Sequence, residues 1–163
     1  ALPHYMDPQN IAMFEKFHVY TKEEIASRTD ILLENYSKVI NIEAMTMLDM
    51  TKKKLLPAAM EYGKKICDTA IAKKQLGLDA SAETKLAADL DSNTAKMYEA
   101  MQALESKVNA AKEIGDVLEC AKAYRSQVFS AMGDLRTYAD QLEMLVSAED
   151  WPLPPYSDLL FNV

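Results

Sequence analysis

The hydrophobic pattern is dominated by one long stretch. Leu33, Tyr36, Ile40, Ala44, Met47, Thr51, Leu55, Ala59, Tyr62 and Ile66 recur at steps of three and four, which places them on one face of a helix. Thr21-Lys22-Glu23-Glu24 has the form of a capping box at its start, and Gly77 supplies a stop. The pattern therefore predicts a spine helix from Thr21 to Leu76, with a kink at Pro57. Its first half carries a second apolar set, Ile31, Leu32, Val39, Ile42, Met45 and Leu48, and is apolar nearly all round. Such a helix needs cover on two sides.

Two further long helices follow. Ser81 is the expected cap of the second, which carries Leu86, Leu90, Thr94, Met97, Met101, Leu104, Val108 and Ala111 in a near-heptad register. The third is capped by Asp116 and repeats Val117, Ala121, Tyr124, Val128, Ala131, Leu135, Tyr138, Leu142 and Leu145. Gly133 inside it marks a close helix contact or a slight bend. Ahead of the spine, Asp7-Pro8 opens a short apolar helix through Ile11, Met13, Phe14 and Phe17. Beyond the third helix, Trp151-Pro152-Leu153-Pro154-Pro155-Tyr156 is non-helical, and Ser157-Asp158 caps one last turn through Leu159, Leu160 and Phe161. The predicted fold is all-α: an antiparallel bundle of three long helices with a short N-terminal helix and a Pro-rich C-terminal tail. One domain is expected over 1–163, with a junction and short helix in 1–20, the bundle in 21–150 and a docking tail in 151–163.

Turns near residues 79 and 114 would run helix two beside the spine's second half and return helix three parallel to it. The leading part of the spine, about Glu24 to Ala44, is then left as an overhang, partly covered by the N-terminal helix and otherwise by a partner. The same register sets Cys67 level with residue 91 on helix two and about residue 138 on helix three. Cys67 and Cys120 then lie ~27 Å apart along the bundle, against about 6 Å between the Cα atoms of a disulfide, so two free thiols are expected.

Composition narrows the function. A net charge of −7 and no basic stripe argue against nucleic acid. The two cysteines form no CxxC pattern, no apolar run reaches membrane-spanning length, and no targeting segment opens the chain, so a soluble, cytoplasmic protein is expected. No Gly-rich phosphate loop is present, and Arg28, Arg125 and Arg136 are too dispersed for a phosphate clamp. Glu34, Glu43 and Asp49 suggest a ferritin-like metal site, but the Glu-x-x-His motif of that class is absent, and both histidines, His4 and His18, precede the bundle. Glu43 stands among Tyr36, Ile40 and Met47, so it reads as a buried carboxylate needing a partner, or as part of an interface. Tyr124 and Tyr138 read as core tyrosines with hydroxyls at the rim, and the ten methionines as core filler. The expected interface is Ile31, Leu32, Val39, Ile42, Glu43 and Met45 on the spine, with Trp151, Tyr156, Leu159, Leu160 and Phe161 in the tail. The tail is expected to dock on its own assembly in preference to a foreign polyproline-binding groove. No catalytic, cofactor or metal residue is assigned.

Five stretches carry a family resemblance. Ser27-Arg28-Thr29-Asp30-Ile31-Leu32-Leu33-Glu34-Asn35-Tyr36, Ile42-Glu43-Ala44-Met45-Thr46-Met47 and Leu55-Leu56-Pro57-Ala58 resemble the C-terminal helical region of type III glutamine synthetases. The ending from Trp151 to Phe161 is similar to that family's chain terminus, and Ala1-Leu2-Pro3-His4-Tyr5 to its junction after the catalytic region. The resemblance implies a fragment of a longer enzyme that joins ammonium to glutamate with ATP and a divalent metal (Mg or Mn), built as a large homo-oligomer. It also implies that the catalytic residues lie upstream of Ala1, leaving this chain an assembly or regulatory domain whose partners are the catalytic region and neighbouring subunits. The alternative is a free-standing helical adaptor whose apolar overhang and tail bind another protein.

Overall fold

The computed structural model describes residues 2–154, 159 and 160, which form helices and connecting turns with no strand among them. A 3₁₀ turn, Leu2–Met6, precedes helix α1, Pro8–Lys16. Helix α2, Lys22–Met50, passes through a π-helical turn, Thr51–Leu55, into α3, Leu56–Gln75. Helix α4 is Ser81–Lys112; α5, Val117–Ala123, passes through a second π-helical turn, Tyr124–Val128, into α6, Phe129–Glu143. The chain divides into two compact units, one combining Ala1–Met45 with Ser106–Ser130 and the other Thr46–Glu105 with Ala131–Val163.

The helix ends follow from local chemistry. The Thr21 backbone N–H donates to Glu24 Oε2 at 2.8 Å, and the Glu24 N–H donates to Thr21 Oγ1 at 3.2 Å, closing the expected capping box. Gly77, at φ 74°, ends α3 in a Schellman motif: its N–H reaches the Lys74 carbonyl and that of Leu78 the Lys73 carbonyl. The same pair of bonds ends α1, from His18 to Glu15 and from Val19 to Phe14, with His18 in the left-handed position at φ 52°. Asp116 caps α5 by accepting from the Glu119 N–H at 2.9 Å. Ser81 is not the cap of α4: it is the first helical residue, and the Asp79 carboxylate accepts both its N–H and its hydroxyl.

Two π-helical turns interrupt the long helices. At Pro57 the strain is taken up by a π-helical turn immediately upstream, where the Leu56 N–H reaches back to the Thr51 carbonyl. The proline lacks an N–H and its ring crowds the preceding turn, so a wider turn there is the compatible arrangement. The third helix is not uniform either; the Phe129 N–H reaches back to the Tyr124 carbonyl. Gly133 is no close contact, because a Cβ built there meets nothing within 4 Å.

Within the Ala1–Met45/Ser106–Ser130 unit, α2 buries Ile25, Thr29, Leu33, Ser37, Ile40 and Ala44. The Thr29 and Ser37 hydroxyls are satisfied by the Ile25 and Leu33 carbonyls at 2.7 and 3.0 Å. Leu33 and Tyr36 share a groove with Leu118 and Ala121, and the buried Tyr124 hydroxyl donates to Asn41 Oδ1 at 3.2 Å. The third helix therefore begins further back along the spine than a symmetric turn predicts. The overhang is covered on one side by α5. The N-terminal elements add an aromatic series: Tyr5 stacks on Phe14, Phe14 tilts against Tyr20, and the Arg28 guanidinium lies 4.6 Å from the Tyr20 ring centroid. Helix α1 itself buries no residue.

Within the other unit, Leu55, Ala59, Leu90, Met97, Met101, Leu104, Leu135, Leu142 and Trp151 form the core. Lys52 pairs with Glu105 at 2.7 Å, Lys73 with Glu83, and Lys65 with Asp150. Cys67 is exposed in a cleft with Leu90 and Asp91, the helix-two level the sequence register assigns it. The level expected at about residue 138 of the third helix is instead reached beyond the end of α6, at Asp150, which bonds Lys65. Both cysteines are free thiols.

Candidate functional site

Helix α2 presents two faces of opposite fate. Beside its buried face, Ile31, Leu32, Val39, Ile42 and Met45 are 55, 42, 53, 63 and 46% exposed. Leu48, grouped with them by sequence, is 3% exposed and belongs to the core. Glu43 is exposed, so it is not the buried carboxylate its neighbours suggest: Ile40 is buried and Tyr36 and Met47 are half-buried, while Glu43 itself stands at the solvent side. Five large apolar side chains on one exposed helix face are more than scattered surface hydrophobics. The flanking charges are largely paired along the helix, Glu34 with Lys38 at 3.0 Å and Asp49 with Lys53.

The tail divides. Trp151 is buried, its indole N–H without an acceptor among the described residues. It follows Asp150, whose carboxylate accepts from both Lys65 and the Ser147 hydroxyl and is held below the ordinary range, chiefly by the Lys65 hydrogen bond. Leu153 and Pro154 line a cleft with Met50, Leu55 and Leu135, which Leu159 also borders. Leu159 and Leu160 are 63 and 71% exposed. Tyr156 and Phe161 lie outside the described residues, as does the Ser157-Asp158 cap.

One feature escaped the sequence. Leu33, Tyr36, Leu118 and Ala121 floor a groove of about 640 Å³, with Leu2 at one side and Lys122 and Arg125 at its rim. It depends on the axial register of two helices, for which the periodicity carries no signal. Nearby, burial raises the Tyr124 phenol above its ordinary value, with a smaller contribution from the charge of Cys120.

Among the described residues no three His, Cys, Asp or Glu side chains gather where one ion could reach them. Nor is any described helix long and apolar enough to cross a membrane.

The class defined by the described residues is an all-helical domain. Residues 1–74 match the family model for the glutamine synthetase C-terminal domain. A glutamine synthetase of Butyrivibrio fibrisolvens is 35% identical over 165 residues, covering 100% of this chain and 24% of that protein. A type-3 glutamine synthetase of Dictyostelium discoideum is 26% identical over 99% of this chain and 23% of its own length; for a glutamine synthetase of Bacteroides fragilis the values are 27, 99 and 23%. Over its length the chain is similar to the C-terminal parts of these glutamine synthetases. It spans about a quarter of the length of these relatives.

Proposed function

We propose that this chain is the accessory assembly domain of a cytoplasmic, homo-oligomeric ligase that joins ammonium to glutamate using ATP and a divalent metal, and that the catalytic chemistry belongs to residues upstream of Ala1. Its partners are that catalytic region and neighbouring subunits, with no role for nucleic acid or membrane. The three long helices act as one antiparallel bundle and a single domain. Supporting this within one unit, Lys52 and Lys73 pair with Glu105 and Glu83, so position numbers rise along the spine as they fall along α4. The Pro-rich tail docks on its own assembly, a reading favoured by the burial of Trp151.

The observation that carries the proposal is the exposed apolar stripe Ile31, Leu32, Val39, Ile42 and Met45 on a helix whose opposite face is buried. Burying one such side chain contributes roughly 1.5–3 kcal/mol, so subunit packing is its natural use. Glu43, exposed on the same helix, and the tail residues Tyr156, Leu159, Leu160 and Phe161 complete the proposed interface. The test is Ile42→Asp with Met45→Asp in the full-length enzyme. Sedimentation should show a smaller assembly, whereas aspartate at the exposed positions Lys96 and Gln102 leaves it intact. An unchanged assembly in the stripe variant would reject this surface. The adaptor alternative is separated by the coding sequence upstream of Ala1, which should encode a catalytic ligase region.

A further inference from the structure

We propose that the groove between α2 and α5 is the docking site for the parent polypeptide's own segment directly upstream of this chain, so that the domain is anchored to its catalytic body in cis. This rests on the ligase reading above and names the face through which the connection is made. Four observations carry it. The floor, Leu33, Tyr36, Leu118 and Ala121, is apolar, and its volume of about 640 Å³ suits several side chains. Leu2, half-buried, borders the groove, so the chain enters the unit at this place. The 3₁₀ turn holding Leu2 is pinned to its unit: Asn10 Nδ2 donates to the His4 carbonyl at 2.7 Å, and Tyr5 stacks on Phe14. Finally, the relatives are about four times this chain's length and it matches their C-terminal parts, so in them a long polypeptide precedes this point.

The rim specifies the occupant's chemistry. Lys122 is engaged by Glu119 at 2.7 Å, whereas Arg125 lies over the Phe129 ring at 4.8 Å and meets no carboxylate among the described residues. A guanidinium stacked on one face still offers its edge to a carboxylate. The segment that fits is therefore apolar, with an aspartate or glutamate placed to meet Arg125. Joined covalently to the chain at Ala1, one residue before Leu2, it docks at a high effective concentration, and a modest groove suffices.

The test uses the full-length enzyme with a photo-crosslinking phenylalanine analogue at Ser126, an exposed residue of the groove wall, and a control at exposed Lys96. Subunits assembled from mixed light and heavy isotope-labelled chains separate links within a chain from links between chains. The expected result is a link from position 126 to a peptide upstream of Ala1 in the same chain, its yield falling about tenfold with Arg125→Glu because like charges then meet. Links within residues 1–163, light-to-heavy links, or a yield no higher than at Lys96 would overturn the proposal. Absence of a ligase region upstream would instead refute the ligase reading, and the gene sequence shows that separately.

Discussion

His18 is the residue most at odds with its backbone. It closes a Schellman motif at the end of α1 with φ 52°, a position glycine occupies without the Cβ penalty. The motif forms because α1 must stop before the chain turns into the capping box at Thr21. Nothing in the composition of Phe17-His18-Val19 announces it, since the usual glycine signal is missing. We expect His18→Gly to raise stability by about 0.5–1 kcal/mol, relief of strain outweighing the greater freedom of glycine in the unfolded chain. Urea unfolding followed by circular dichroism checks this; a lower midpoint would show that the imidazole contributes more than its backbone costs.

At the level of elements, the π-helical turn before Pro57 leaves a trace in the sequence. Met47, Thr51, Leu55 and Ala59 run in three consecutive steps of four, whereas the rest of the spine mixes threes and fours. In an α-helix each step of four rotates the face by about 40°, so three in succession would carry Ala59 well off the seam. The wider turn over Thr51–Leu55 rotates less per residue and returns it, and Thr51, Leu55 and Ala59 are all buried. No such run marks the turn at Tyr124–Val128, whose flanking positions keep steps of three and four. Gly133, which the sequence reads as a contact or bend, is exposed with open space around its missing Cβ. Gly133→Ala should therefore stabilise α6 by about 0.5–1 kcal/mol, through helix propensity alone. A destabilised variant in thermal unfolding would mean that something does approach this position.

For the molecule as a whole, the informative contacts join residues far apart in sequence. The Lys65–Asp150 pair spans 85 positions and sits beside the chain's single tryptophan. Asp150 is held below the ordinary carboxylate range, first by Lys65 and then by Ser147; Glu83 is held down chiefly by Lys73 and Asp79 by Ser81. Depressed folded-state values mean that each contributes stability above the ordinary carboxylate pKa and loses it as pH falls through the folded value. Lys65, raised mainly by its hydrogen bond to Asp150, acts in the opposite sense: its contribution is complete below the ordinary lysine pKa and disappears as pH rises through the raised one. We expect Trp151 emission to stay blue-shifted from about pH 7 to about pH 5 and to move red in stronger acid. Asp150→Asn should be less stable than the parent near pH 7, the difference shrinking as pH falls through the depressed folded-state value and the parent carboxylate also becomes neutral. A difference that persists in acid would assign the effect to packing instead of charge.

What the sequence determined by itself is angular. The steps of three and four identify which positions share a face, the Thr21 and Asp116 caps and Gly77 mark ends, and the second apolar set on the leading half of the spine marks a face in need of cover. None of that contains the axial offset between helices, because sliding one helix along another by a turn leaves every face pointing the same way. Only the tertiary structure decided that α5 lies back along Leu33 to Asn41, creating the groove at Arg125. It likewise decided that Asp150, not a residue near 138, meets the third turn of α3, and that Ile31, Leu32, Val39, Ile42 and Met45 stay exposed while Leu48 is buried. Periodicity says that a face is apolar, and the offset says which neighbour covers it.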